Sequence, residues 1–163
     1  MRQIHNIEPI YNKDSIILIL GSFPSVKSRE AKFFYHHPQN RFWKVLAHIY
    51  KHDALITIED KKNFLLENHI AVWDTIESCD IKGSSDSSIE NVKANDINKI
   101  LEVAHIQAIY TNGKKSHQMY QKYLLDKTHK EDICLPSTSS ANASYSLEKL
   151  IEYWKVIKSN HIE

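Results

Sequence analysis

The chain has 163 residues, enough for one domain with a real core, and its 21 basic and 20 acidic residues nearly cancel. That balance argues against a broad electrostatic grip on nucleic acid while leaving room for a local basic groove. Two cysteines, Cys79 and Cys134, are too few for a four-thiolate metal site and indicate small buried thiols in a reducing compartment, and neither a membrane span nor a signal-peptide core is evident.

Residues 1 to 15 read as an irregular lead-in containing Pro9 and the turn-like Asn12-Lys13-Asp14-Ser15. Ile16 to Leu20 is an unbroken apolar run, the pattern of a strand buried on both faces. Gly21 breaks it, and Pro24 forbids an immediate return to a central strand. The loop beyond is rich in side-chain chemistry, and in it Asn40 stands beside rings able to sandwich a flat ligand. Arg41 to Tyr50 has helical apolar spacing, which places Asn40 at or near an N-cap. Thr57 caps a second helix that runs to about Asn68. Ile70 to Trp73 is a short strand. The serine-rich stretch from Lys82 to Ser88 reads as a solvated connection. A helix starts at Asn95-Asp96, with Ile97, Ile100, Leu101 and Ala104 on one face. Then come a strand from Ile106 to Tyr110, a helix from about Ser116 to Leu125, and a strand from Asp132 to Leu135. A final helix from Ser144 to Lys158 buries Tyr145, Leu147, Leu150, Ile151, Trp154 and Ile157.

Strands alternating with helices predict βαβ units, a parallel sheet and an α/β fold occupying residues 1–163 as a single domain. Ligands of such folds lie beyond the carboxyl ends of the strands, where the loops after the first, third and fourth of these strands should converge. With Gly21, Gly83 and Gly113 as the whole glycine complement, there is no Walker A loop and no Gly-x-Gly-x-x-Gly turn. The zinc-deaminase signature and the Gly-x-Ser-x-Gly elbow are also missing. The ten histidines are mostly isolated, so neither a metal nor another cofactor is expected. What remains is a neutral amide, aromatic rings and hydroxyls around a parallel sheet.

Three segments carry a family resemblance that extends over most of the chain. They are Gly21-Ser22-Phe23-Pro24-Ser25-Val26-Lys27-Ser28-Arg29-Glu30, His37-Pro38-Gln39-Asn40-Arg41-Phe42-Trp43 and Leu135-Pro136-Ser137-Thr138-Ser139-Ser140-Ala141-Asn142. Together they resemble the motifs of the hypoxanthine-DNA glycosylases, a branch of the uracil-DNA glycosylase superfamily. The resemblance implies a three-layer α/β/α sandwich with a central, mainly parallel four-stranded sheet. It implies an enzyme of base excision repair, monofunctional and cofactor-free, that flips a deaminated base from DNA and hydrolyses its glycosidic bond. Asn40 matches the catalytic asparagine of the branch. Phe23, Tyr35 and Phe42 become candidate base contacts, with core packing as the alternative for the rings and the preferred reading for Trp43. Ser25, Ser137, Thr138, Ser139, Asn142 and Lys114 become candidate DNA contacts. The loop from Pro136 to Asn142 becomes a candidate wedge beside the vacated base position, or else a plain strand-to-helix connection.

Hypoxanthine presents an O6 acceptor beside an N1–H donor, and a fixed amide can match that lactam while mismatching adenine. The chain departs from the wider superfamily at Phe23, where most branches place Asp or Asn, and at Leu135, where the main uracil enzymes place histidine. At Ser140 the branch itself leads one to expect proline. The general uracil mechanism therefore does not carry over. Two alternatives stay open: a uracil or mismatch glycosylase of the same fold, and a non-catalytic binder of damaged or single-stranded nucleic acid. The expected partner is DNA containing deaminated bases, engaged by a cytoplasmic monomer that is nucleoid-associated while it acts.

Overall fold

The structure, a computed structural model, describes residues 2–159. The chain runs β1 (Arg2–Ile4), β2 (Ile17–Gly21), α1 (Val26–Ala31), α2 (Phe42–Ile49), α3 (Ile58–Glu67), β3 (Ile70–Asp74) and β4 (Ile76–Asp80). It continues through β5 (Glu90–Ala94), α4 (Asn98–Leu101), β6 (Ala108–Asn112), α5 (Lys114–Tyr123), α6 (Leu125–Thr128), β7 (Asp132–Leu135), α7 (Leu147–Trp154) and α8 (Val156–Ser159).

Four strands form a wholly parallel sheet in the order β3-β2-β6-β7, flanked by helices. β2 lies inside it with every residue buried, which is why its sequence is apolar without alternation. Register places Gly21 opposite Asp74 and Asn112 opposite Leu135, so the carboxyl ends of all four strands meet at one edge. β2 has β3 on one side and β6 on the other, the strand-order reversal at which open α/β sheets leave a crevice.

α2 packs against α7, and α5 lies against β6 and β7. α2 buries Phe42, Trp43, Val45, Leu46 and Ala47, each large side chain contributing about 1.5–3 kcal/mol. Trp43 belongs to this core and donates Nε1–H to the Phe34 carbonyl at 3.3 Å. Thr57 caps α3 as its spacing predicts, accepting the Asp60 N–H at 3.0 Å. Trp154 on α7 donates to the Pro136 carbonyl at 2.8 Å, which ties the last helix to the loop after β7.

Several expectations need correction. The lead-in is not wholly irregular: β1 pairs antiparallel with β4, and β4 with β5, in a second, three-stranded sheet. β5 reads Glu-Asn-Val-Lys-Ala and is mostly solvent-facing, and the β4–β5 register is irregular, so no clean alternation marks these strands. The motif loop contains the six-residue helix α1, capped by Ser25. β6 starts and ends two residues later than the apolar run indicates, and the final helix breaks at Lys155 into α7 and α8. Cys79 is buried but Cys134 is exposed, because β7 is an edge strand.

Candidate active site

At the carboxyl edge of the parallel sheet lies a cleft of about 250 Å³. That is below the range of about 300–1,000 Å³ usual for drug-sized ligands, and it suits one heterocycle. Its walls are the turn from Gly21 to Ser25, the segment around Tyr35 to Asn40, the strand ends Asp74 and Asn112, and the loop from Ser137 to Ala141. The three segments singled out in the sequence therefore meet here.

Asn40 is held by its oxygen. Oδ1 accepts the Phe42 backbone N–H at 2.9 Å and the Thr138 hydroxyl at 2.9 Å. A backbone N–H can only donate, so the Phe42 contact fixes which end of the amide is oxygen. Both lone pairs are thereby occupied, which leaves Nδ2, bonded to no described residue, as the open end of an amide that lines the cleft. Asn40 thus lies just ahead of α2, whose N-cap is Arg41, and is at the same time a wall of the cleft. Thr138 is itself held by Asn112, whose Nδ2 donates to Thr138 Oγ1 at 3.0 Å while its Oδ1 accepts the Thr138 N–H at 3.1 Å. Asn112, Thr138 and Asn40 form one relay from β6 to α2.

Arg41, beside Asn40, clamps the same loop. Its guanidinium donates to the carbonyls of Ser139 at 2.8 Å, Asn142 at 3.2 Å and Tyr145, and its backbone N–H donates to Thr138 O at 3.0 Å. Within the loop, Ser137 Oγ accepts the Ser139 N–H and Asn142 Nδ2 donates to the Ser137 carbonyl. Ser137 and Ser139 line the cleft, Asn142 braces the loop from behind, and Thr138 is buried with its hydroxyl committed to Asn40. Thr138 therefore stands inside the site and not on a phosphate-facing rim.

The turn after β2 is packed too closely for a side chain. A Cβ on Gly21 would overlap Asp74 Oδ1 and lie 3.0 Å from the Tyr35 hydroxyl. Tyr35 sits at φ 51°, an uncommon left-handed conformation outside glycine, and stacks on Phe42 with ring centroids 3.9 Å apart. Phe42 is fully buried behind Tyr35 and does not reach the cleft, so of the three candidate base contacts only Phe23 and Tyr35 line it. Among the described residues the Tyr35 hydroxyl has no hydrogen-bond partner; Asn112 is near it without meeting hydrogen-bond geometry. Burial, reinforced by the charge of Asp74, holds this phenol above its ordinary pKa, so it stays a neutral donor.

The serine-rich stretch is solvated as its composition indicates, residues 82–87 being exposed, and it also borders the cleft. Ser84 and Asp86 line the cleft, Ser22 donates to Asp86 at 2.9 Å, Ser84 accepts the Val26 N–H at 2.9 Å, and Arg29 donates to the Gly83 carbonyl at 3.1 Å. Desolvation raises the Asp86 carboxyl above the usual carboxylate range, against the hydrogen bond from Ser22 and the charge of Lys115. Ser25 caps α1, accepting the Ser28 N–H at 3.2 Å, and lines the cleft. Lys114 is exposed and outside the cleft, at the uncapped start of α5. There Gly113, at φ 97°, brings the helix against Ser137. Asp74, Asp86, Ser84 and Asn112 are the lining residues that sequence reasoning passed over. Asp74 and Asn112 end parallel strands, and that position was the signal available for them. Among the described residues no group of three or more His, Cys, Asp or Glu side chains could hold a metal ion, and no helix is long and apolar enough to cross a membrane.

A parallel α/β sheet with a heterocycle-sized cleft beyond its strand ends, walled in part by a fixed amide, has the layout of an α/β enzyme that takes a small flat ligand. Residues 8–158 match the model of the uracil DNA glycosylase superfamily. The chain belongs to that superfamily and is a DNA glycosylase, a hydrolase of N-glycosyl bonds. It is similar to a Methanosarcina acetivorans protein named hypoxanthine DNA glycosylase, with 30% identity over 151 residues, 91% of this chain and 94% of that protein. A Methanosarcina barkeri protein of the same name is 29% identical over 143 residues, 86% and 90% of the two chains. The solution NMR structure of a candidate uracil DNA glycosylase from Methanosarcina acetivorans superposes with a TM-score of 0.81 at 31% identity, covering 96% of each chain.

Proposed function

We propose that this glycosylase removes hypoxanthine from deoxyinosine in DNA, as a single-domain, cofactor-free, monofunctional enzyme of base excision repair. The observation that carries the reading is the locked amide of Asn40, whose engaged oxygen leaves Nδ2 as the open end on a wall of a cleft sized for one base. The names borne by the two Methanosarcina relatives supply the choice of base. Because both lone pairs of Oδ1 are occupied, Asn40 acts as a donor and not as an acceptor for the proton of an attacking water. As the C1′–N9 bond lengthens, negative charge builds on the departing base and oxocarbenium character on the sugar. A hydrogen bond from Nδ2 to that base strengthens along this path, and because Thr138 and Phe42 have already oriented it, little reorganisation is needed. Water then captures the sugar at C1′, and one base is released for each abasic site formed.

Ser25, Ser137 and Ser139 stand at the mouth of the cleft, where hydroxyls and loop N–H groups suit phosphate oxygens. The exposed tip at Ser140 and Ala141 is placed to press beside the extruded nucleotide, while Arg41 holds the base of the loop. Oligonucleotides carrying hypoxanthine, uracil or xanthine, treated with the protein and then with hot alkali, test the assignment. Strand breaks confined mainly to the hypoxanthine site are expected. Breaks mainly at uracil would make the protein a uracil enzyme of the same fold, and binding without breaks would make it a non-catalytic reader.

A further inference from the structure

Asp74 ends β3 with its carboxylate nearly sealed from solvent, and only one of its two oxygens is engaged. His5 Nε2 lies 2.7 Å from Oδ2, and the side chains of this pair are 3% and 5% exposed. The protons can be assigned from a neighbour. The Ile7 backbone N–H, an obligate donor, meets His5 Nδ1 at 3.3 Å, so Nδ1 accepts and Nε2–H donates to Asp74. The imidazole thus holds the carboxylate in place through Nε2–H. Oδ1 takes no hydrogen bond from any described residue, lies against Gly21 and belongs to a residue that lines the cleft. The fully enclosed unpaired polar atoms of the described residues are the Tyr35 hydroxyl, His69 Nδ1 and Trp73 Nε1, so Asp74 Oδ1 keeps an opening to the cleft, where an entering donor can pair with it.

Resting on the proposed function, we infer that Asp74 Oδ1 is the acceptor for the N1–H of the deaminated purine, and that His5 is the positioning residue that presents it. Deamination of adenine turns N1 from an acceptor into a donor, and a fixed carboxylate oxygen responds to that one change. Adenine sets a lone pair against the carboxylate; hypoxanthine sets a proton there. Guanine also carries N1–H, but its adjacent 2-amino group calls for a second acceptor. Because His5 occupies Oδ2, the carboxylate has one oxygen to give, and a guanine amino group would be buried unpaired. Asn40 supplies the donor and Asp74 the acceptor, so the cleft holds both halves of a lactam-reading pair.

The test pairs an isosteric variant with a base analogue. In Asp74→Asn the His5 N–H holds the amide oxygen, which turns the NH2 into the cleft, a donor where the wild type has an acceptor. Single-turnover excision is measured on hypoxanthine and on unsubstituted purine, whose N1 is an acceptor. Hypoxanthine release should fall by about 10–100-fold, and the purine-to-hypoxanthine ratio should rise by at least about tenfold. Binding to tetrahydrofuran abasic DNA, which has no base to read, should not weaken, since the variant removes a negative charge at the cleft. A fall shared equally by both substrates would make Asp74 merely structural and overturn the inference. A second arm needs no variant: the wild type should excise 1-methylhypoxanthine, which has no N1–H, at least about 100-fold more slowly than hypoxanthine. Equal rates would overturn the inference while leaving the proposed function intact. Absence of hypoxanthine release by the wild type would instead overturn the proposed function, and this inference with it.

Discussion

Thr138→Val removes one hydroxyl from the relay between Asn112 and Asn40 and keeps the volume of the side chain. Two hydrogen bonds go with it, the donation to Asn40 Oδ1 at 2.9 Å and the acceptance from Asn112 Nδ2 at 3.0 Å. Thr138 is buried, so the orphaned Asn112 N–H loses its partner at a cost of about 1–3 kcal/mol. The backbone exchange between the Thr138 N–H and Asn112 Oδ1 survives, and Asn112 is half-buried, which puts the expected loss at the lower end, about 1–2 kcal/mol. For a chain of this size that lowers Tm by about 2–8 °C. The catalytic effect is separate. With only the Phe42 N–H left on Oδ1, the amide of Asn40 can swing, and transition-state stabilisation lost on a similar scale slows excision by about 5–30-fold. Thr138→Ser retains the hydroxyl and should keep most of the rate while losing some stability through the missing methyl. Single-turnover excision of hypoxanthine and thermal melting, run on both variants, separate the two effects. If Thr138→Val melts lower but turns over like wild type, or if the serine variant is as slow as the valine one, the relay does not orient Asn40 and the reasoning fails.

Asn40→Ala should abolish excision while costing only about 0.5–2 kcal/mol of stability, the loss of a helix-start contact, as read by denaturant titration beside the activity assay. Gly21→Ala places a Cβ into Asp74 Oδ1 and against Tyr35, so it should reduce hypoxanthine release by at least about tenfold while circular dichroism stays native. Asp86 has a raised pKa, so its carboxylate becomes neutral at a higher pH than ordinary carboxylates do, and acidification through that range removes a negative charge at the cleft. DNA affinity, followed by fluorescence anisotropy, should therefore rise as pH falls, and in Asp86→Asn it should be higher at neutral pH with that step absent. Activity should persist in EDTA, and borohydride should trap no covalent complex with DNA; a trapped Schiff base would require a lysine nucleophile.

The parallel sheet was legible because its strands are short apolar runs separated by helical spacing, and β2, buried on both faces, was the clearest of them. Asn40, Tyr35 and the loop after β7 were legible only through motif resemblance, since their side chains meet by folding and not by spacing. β1, β4 and β5 escaped notice because they are short and half polar, β1 pairs with a strand far along the chain, and the β4–β5 register is irregular. Phe42 shows the limit of composition most plainly. A ring two residues from the key amide invites a stacking role, yet helical phase turns it into the core and leaves Tyr35 in front. Asp86 and Ser84 sit in a stretch whose serine content reads as solvent-facing, and Asp74 falls one residue past the apolar run Ile70 to Trp73.

The bonds that build the site also have a temporal consequence. His5 reaches Asp74 across 69 residues, Thr138 reaches Asn40 across 98, and Arg41 reaches Tyr145 across 104. Contacts of such sequence separation close large loops and form slowly compared with local structure. During synthesis, which proceeds at about 5–20 residues per second, His5 and Asn40 emerge long before the partners that orient them. A nascent chain can carry its full first motif and still have no working amide, because the hydroxyl that locks Asn40 is made 98 residues later. The enzyme therefore becomes competent for chemistry only after Thr138 has been synthesised and has folded back onto Asn40.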